Sequence, residues 1–189
     1  ENISLAAMQE VTGIKFARSE KTWKDSLIRL KPNSPLTGAT PGTLQLQDWH
    51  ISYFRNRPFY EKRLAPNFVI ADPDAKVCGT FAADGTPALV YKHTPRYSSI
   101  YCAAPVWNAD ILRRAAELAG VHIYWNAPIA SLHAGGDFIL LHNGPLPTHG
   151  KLNLPQHTGK VIDAFSGEEL RNLNLDLKPG ESRLFKIWN

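Results

Sequence analysis

The stretch Val77–His93, which reads VCGTFAADGTPALVYKH, determines how the middle of the chain folds. Its two ends, Val77–Ala82 and Pro87–His93, are short runs of the apolar and β-branched residues that are typical of strands. Between them lies ADGT (83–86), in which Asp-Gly supplies the positive φ of a tight hairpin turn. The stretch therefore predicts two neighbouring antiparallel strands.

The hairpin is flanked by two further strand-like runs, Asn67–Ala71 and Ser98–Ala103. The next segment, NADILRRAAELAG (108–120), places apolar residues at helical spacing between an N-capping Asn108 and a terminating Gly120. This pattern predicts a helix that follows the strands.

The first 66 residues give weaker signals. Residues 2–14 (NISLAAMQEVTGI) have helical spacing and end at Gly13, so they predict an amphipathic helix. Residues 31–42 (KPNSPLTGATPG) are rich in proline and glycine, which removes backbone donors and predicts an exposed loop.

After residue 124 the chain changes to short strands separated by turn residues, as in an all-β module. The predicted strands are Phe138–His142, Gly150–Leu154, Lys160–Asp163, Asn174–Leu177 and Arg183–Ile187. We therefore predict an α/β segment over residues 1–125 and a small antiparallel β-sandwich domain over residues 126–189.

Length and composition exclude several classes of protein. The 189 residues fall short of the roughly 250 that a (β/α)8 barrel needs. Hydrophobic residues make up 43% of the chain, which is typical of a globular protein. The net charge of +4 is scattered, which argues against nucleic-acid binding, and no apolar run approaches the ~20 residues of a membrane span.

Two blocks of sequence resemble bacterial glycoside hydrolases such as the family 42 beta-galactosidases. Gly79–Tyr124 resembles the end of their α/β domain, with AAP (103–105) and AGVHIY (119–124) as the best markers. The second block resembles their small C-terminal β-domain and consists of FILLHN (138–143), KLNLP (151–155), VIDAFSGEEL (161–170) and LDLKPGESRLFKI (175–187). Together the two blocks extend the resemblance over residues 67–188.

The resemblance implies a domain order in which a catalytic barrel comes first. A flavodoxin-like or amidotransferase-like α/β domain, often used for trimer contacts, follows it, and the β-domain closes the chain. This implies a non-catalytic accessory portion of a hydrolase, with an incomplete α/β segment whose early strands would precede Glu1. The implied partners are the catalytic barrel of the same parent protein and further copies in a homo-oligomer.

No catalytic site is predicted in the chain itself. A glycosidase needs two carboxylates roughly 5–10 Å apart. The candidates occupy the polar face of a helix or predicted turns, where charges are normally solvated: Glu117, Glu168, Glu169 and Glu181. The histidines have no metal-ligand spacing, and His122 is expected to bond to backbone instead. No metal or cofactor is predicted.

Cys78 and Cys102 lie in apolar runs and lack the strand-to-helix turn that exposes a nucleophile. They favour free buried thiols, with a disulfide between neighbouring strands as the alternative. The sequence does not determine the cellular compartment, and it slightly favours secretion or the periplasm over the cytoplasm.

Aromatic residues are concentrated in HISYFRNRPFY (50–60) and next to the predicted helix. Core packing or a domain interface explains most such residues, whereas an exposed ring can stack on a sugar. If the chain binds an oligosaccharide, Trp49, Tyr53 and Trp107 are the candidates. A carbohydrate-binding module is thus an alternative function, and a stand-alone hydrolase is another.

Overall fold

The computed structural model describes residues 4–21, 27–39, 42–45, 67–104, 106–127, 130–156 and 158–188. The chain divides into two compact units, Glu1–Ala115 and Ala116–Asn189. Each unit has its own hydrophobic core.

The first unit is built mainly from strands. Its elements are α1 (Leu5–Thr12), β1 (Phe16–Ser19), β2 (Ile28–Leu30), β3 (Thr43–Leu44), β4 (Asn67–Ile70), β5 (Lys76–Phe81), β6 (Pro87–His93), β7 (Ser98–Cys102) and α2 (Ala109–Leu118). The last turn of α2 lies after Ala115, where the first unit ends. Five strands form one sheet in the order β3-β2-β5-β6-β7, and β1 pairs with β4.

The hairpin predicted from Val77–His93 is present as β5 and β6, which pair antiparallel. Gly85 has the expected positive φ of 74°, and Asp84 accepts a hydrogen bond from the backbone N–H of Thr86 at 3.0 Å. A bulge interrupts the ladder at Gly79, where an added Cβ would stand 2.8 Å from Cγ2 of Ile28. Glycine at this position therefore lets β2 approach β5 closely.

The five-stranded sheet is covered on both faces. Leu89 and Cys78 belong to one cluster, which also contains Ile111 of α2. Their chain neighbours Val90 and Val77 belong to a second cluster with Ile14. Because successive side chains of a strand point to opposite faces, the two clusters lie on opposite sides of the sheet.

Both predicted helices are present, each shorter than its sequence pattern. Ser4 caps α1 by accepting a hydrogen bond from the N–H of Ala7 at 3.2 Å, and Gly13 ends it with a φ of 70°. In α2, Oδ1 of Asn108 accepts a hydrogen bond from the N–H of Ile111 at 2.9 Å, and Gly120 follows with a φ of 71°.

The fold class is confirmed only as a β-rich architecture. All pairings among the named strands of the described residues are antiparallel, whereas flavodoxin-like folds have a parallel sheet. The flavodoxin-like or amidotransferase-like expectation for the first segment is therefore not confirmed. Hydrophobic patterning locates strands but does not encode their relative direction.

The second unit is an antiparallel β-domain. Its strands are β8 (Ala130–Gly135), β9 (Phe138–Asn143), β10 (Thr148–Lys151), β11 (Lys160–Asp163), β12 (Asn174–Leu177) and β13 (Ser182–Trp188). One sheet has the order β11-β13-β9-β8, and β10 pairs with β12. Residues of both sheets, such as Phe185 and Leu177, share one core, as expected for a small sandwich.

The ring of Trp125 fits against Gly150 in this core. A Cβ on Gly150 would overlap the Trp125 ring and would lie 2.8 Å from the Cβ of Ala127. Trp125 also forms a β-bridge with Leu152. The strand predicted at Gly150–Leu154 therefore begins and ends earlier, because this bridge replaces a regular ladder there.

Candidate functional site

Trp107 is the one predicted sugar-contact residue that lies among the described residues, since Trp49 and Tyr53 fall outside them. Trp107 precedes α2 and is 44% exposed, between the buried Val106 and the helix cap Asn108. The rigid start of the helix thus holds an indole ring at the surface, where it can stack on a ligand.

The glutamates considered for catalysis are ion-paired, hydrogen-bonded to backbone or exposed to solvent. Glu169 forms an ion pair with Lys160 at 3.1 Å. Glu181 accepts a hydrogen bond from the backbone N–H of Lys178 at 2.8 Å and lies 3.7 Å from Arg183. Glu117 is exposed near the end of α2, and Glu168 is exposed in the turn after β11.

Two carboxylates that the sequence did not single out are the most deeply buried ones described. Asp72 accepts hydrogen bonds from the N–H groups of Lys15 and Asp74, both at 3.0 Å, and pairs with Nζ of Lys92 at 2.6 Å. Desolvation by burial raises the pKa of Asp72, but these donors outweigh it, so the net pKa lies below 3.8. The carboxylate joins the start of β1, the β4–β5 turn and β6.

Asp163 has a matching arrangement in the second unit. Its Oδ1 accepts hydrogen bonds from the N–H groups of Phe165 and Ser166, and its Oδ2 binds the Arg183 guanidinium at 2.8 and 2.9 Å. Burial again raises the pKa, and the donors again outweigh it, so the net pKa of Asp163 is lowered. The run DAFSGE (163–168) predicted a turn there, but not its partner across the sheet.

The two cysteines are free, so the disulfide alternative is wrong. Cys78 is in β5 and Cys102 is in β7, and β6 lies between these strands. Burial raises the pKa of the Cys102 thiol, which keeps it protonated and weakly nucleophilic at neutral pH.

Three histidines of the second unit contact backbone, serine or aspartate groups. Nε2 of His122 lies 3.0 Å from the carbonyl oxygen of Asn153, which confirms its expected bond to backbone. His142 contacts Ser182 at 2.8 Å, and His149 contacts Asp176 at 2.7 Å. Within the described ranges, no three His, Cys, Asp or Glu side chains form a group that could hold a metal ion.

The helices of the described part of the chain are also too short or too polar to cross a membrane.

Comparisons with known proteins identify a shared fold. No family model and no curated protein sequence matches the chain. A beta-galactosidase structure from Bacillus circulans sp. alkalophilus matches with a TM-score of 0.57 and 16% identity, over 96% of this chain and 25% of that one. A catalytic mutant of a GH42 beta-galactosidase from G. stearothermophilus matches with a TM-score of 0.52 and 16% identity, over 96% and 24%.

A cold-adapted beta-galactosidase from Rahnella sp. R3 gives a TM-score of 0.55 and 15% identity, over 96% of this chain and 25% of that one. The chain thus spans about a quarter of the length of these enzymes. The resemblance stated from the sequence is confirmed at the level of the fold, and the match is consistent with a C-terminal portion of such enzymes.

Proposed function

We propose that this chain is a non-catalytic accessory portion of a larger carbohydrate-active glycoside hydrolase, where it supports or oligomerises a catalytic barrel. The observation that carries the proposal is the fold likeness, which extends over 96% of this chain but only 24–25% of the beta-galactosidases. In this proposal residues 1–125 and residues 126–189 are two consecutive parts that follow the catalytic barrel in such enzymes.

The chemistry of the described residues supports this role. The buried carboxylates Asp72 and Asp163 are held ionised by cations and N–H donors, so they stabilise connections between strands. The thiol of Cys102 is half-buried, and its desolvation raises its pKa. These groups favour rigidity over proton transfer or nucleophilic attack.

The test is to determine the intact mass of the protein in its source and to assay both forms on a chromogenic beta-galactoside. The expected result is a polypeptide much larger than 21.0 kDa that hydrolyses the substrate, whereas the 189-residue chain does not. A 21.0 kDa protein with no associated hydrolase polypeptide would refute the proposal. Hydrolysis by the 189-residue chain that is lost on substitution of Glu117 or Cys102 would also refute it. Hydrolysis that both substitutions leave unchanged would instead count against a stand-alone hydrolase.

The exposure of Trp107 favours a second candidate function, an oligosaccharide-binding module. Titration with neutral oligosaccharides would then quench tryptophan fluorescence in the native chain but not in Trp107→Ala. Phe165→Ala is the matched control, because Phe165 is an aromatic residue of the second unit with 73% exposure. Trp49→Ala and Tyr53→Ala test the other two candidates in the same assay, and unchanged quenching in all three variants would exclude them.

A further inference from the structure

One sheet of the second unit carries large apolar side chains on both of its faces. Ile139 and Leu141 of β9 and Phe185 and Ile187 of β13 are buried in the core. Residues that alternate with them point to the other side. We call that side the outer face, and its large apolar side chains are Phe138, Leu140, Ile162, Leu184 and Trp188.

The apolar side chains of the outer face are contiguous. Leu184 lies directly opposite Leu140 in the β13–β9 ladder. Lys186 lies opposite Phe138 in the same ladder and opposite Ile162 in the β11–β13 ladder. Direct cross-strand neighbours have Cβ atoms within about 5.5 Å, so these residues form one patch across three strands, in which Lys186 lies between Phe138 and Ile162.

Much of this patch is exposed to solvent. Phe138 is 44% exposed and Trp188 is 50% exposed, while Leu140, Ile162 and Leu184 are half-buried. An antiparallel sheet with one face in water normally alternates apolar and polar residues. Here FILL (138–141) has no polar residue, as expected for a strand that is covered on both sides.

The charges on the outer face indicate what covers it. Its ionisable residues on the four strands are Lys160, Lys186, His133 and His142. Among the described residues, one carboxylate stands beside them, that of Glu169, which forms a β-bridge with Ile162 just beyond the named strands. Nζ of Lys186 lies 4.2 Å from the centre of the Trp188 ring, and Lys160 contacts Glu169 at the margin. Because Glu169 already pairs with Lys160, Lys186 is the cation of this face that a partner can complement. A surface with carboxylates would do so, whereas a second copy would present the same net positive face.

We propose that the outer face docks onto a protein surface that is apolar at its centre and carries carboxylates at its rim. The surface is supplied by the remainder of the larger glycoside hydrolase, and this inference rests on the proposed function. An apolar patch with a charged margin is the usual composition of such an interface.

Hydroxyl-radical footprinting of the larger polypeptide and of the 189-residue chain tests the inference. The expected result is a severalfold lower oxidation rate at Phe138, Leu184 and Trp188 in the larger polypeptide. Phe165 serves as the internal control because it is 73% exposed and lies outside the sheet, so its rate should stay the same in both.

Substitutions in the larger polypeptide give a second measurement. Phe138→Ser should abolish the protection of Leu184 and Trp188, and Lys160→Glu with Lys186→Glu should weaken it severalfold. Phe165→Ser should leave the protection unchanged. The melting temperature of each variant of the 189-residue chain separates loss of docking from loss of folding, because only the latter lowers it in the isolated chain.

Each other outcome overturns the inference in a recognisable way. Equal oxidation rates in both forms, with hydrolysis by the larger polypeptide intact, would refute the docking face and leave the proposed function standing. Protection that increases with the concentration of the short chain would identify a second copy as the partner. Protection in the dilute short chain would show that the face is covered within the chain, and protection only with added oligosaccharide would identify a sugar site. A native mass of 21.0 kDa with no associated hydrolase would remove the proposed function and this partner together.

Discussion

Replacing Asp72 with asparagine should destabilise the first unit strongly. The side chain of Asp72 is fully buried and that of Lys92 is 15% exposed, so Asp72→Asn leaves the ammonium group without its carboxylate at a largely buried position. Breaking a buried pair from one side costs about 3–5 kcal/mol in the free energy of unfolding. At this chain length about 1 kcal/mol corresponds to roughly 2–4 °C, so the melting temperature should fall by about 6 °C or more.

Matched variants distinguish the energetic effect of the lost ion pair from the effect of a changed side-chain shape. Lys92→Met should cost a similar amount, because it leaves the carboxylate with only the N–H groups of Lys15 and Asp74. The double variant should cost less than the sum of the two, since neither charge is then left unpaired. Lys21→Met alters an exposed pair with Asp84, in which Lys21 is 65% exposed, and should cost less than about 1 kcal/mol. Chemical denaturation measures all four, and an additive double variant would refute the coupling.

The lowered pKa of Asp72 gives the same prediction a pH dependence. A carboxyl whose pKa is lower in the folded than in the unfolded state contributes its stability above the unfolded value of about 4. That contribution is lost as the pH falls through the lower, folded value. The native chain should therefore lose stability below about pH 4 more steeply than Asp72→Asn, and parallel curves would contradict the assigned ionisation.

Three further predictions concern separate sites. Gly150→Ala should cost about 1–3 kcal/mol, because its Cβ would overlap Trp125, whereas Gly135→Ala meets nothing within 4 Å and should change stability by under about 0.5 kcal/mol in the same denaturation assay. Asn143→Ala should cost at least about 1–3 kcal/mol, because Nδ2 lies within 3.2 Å of three carbonyl oxygens, and an equal loss in the exposed control Asn172→Ala would refute this reasoning. Cys78 should resist alkylation in the native chain because it is fully buried, and Cys102 should react more slowly than free cysteine at neutral pH because burial raises its pKa; fast labelling of both would show that the sheet opens readily.

Local patterns predicted the elements that depend on neighbouring residues. The Asp84-Gly85 turn fixed the β5–β6 hairpin, and Asn108 and Gly120 marked the ends of α2. Strand β8 was missed, because Ala130–Gly135 lies at a sheet edge with mostly exposed side chains and so has little apolar patterning. The relative direction of strands that are not joined by a tight turn could not be predicted from local patterns, because it depends on contacts between distant segments.

The partners of buried charges were equally inaccessible from the sequence. Asp72 and Lys92 are 20 residues apart, as are Asp163 and Arg183, and no local signal joins either pair. The carboxylates that local patterns indicated as catalytic candidates were therefore glutamates in turns and on a helix. These two aspartates were not among them. Only the folded sheet shows which carboxylates are buried.

The state of these two aspartates bears on the choice between an accessory part and a hydrolase. A glycosidase general acid must be protonated near neutral pH, which requires a raised pKa. Asp72 and Asp163 have the opposite property, because each is surrounded by N–H donors and a cation that stabilise the ionised form. Such carboxylates cannot donate a proton to a leaving group at neutral pH, whereas they hold strands and turns in place. Their environment is therefore unsuited to the general acid of a glycosidase, and it fits the supporting role proposed for this chain.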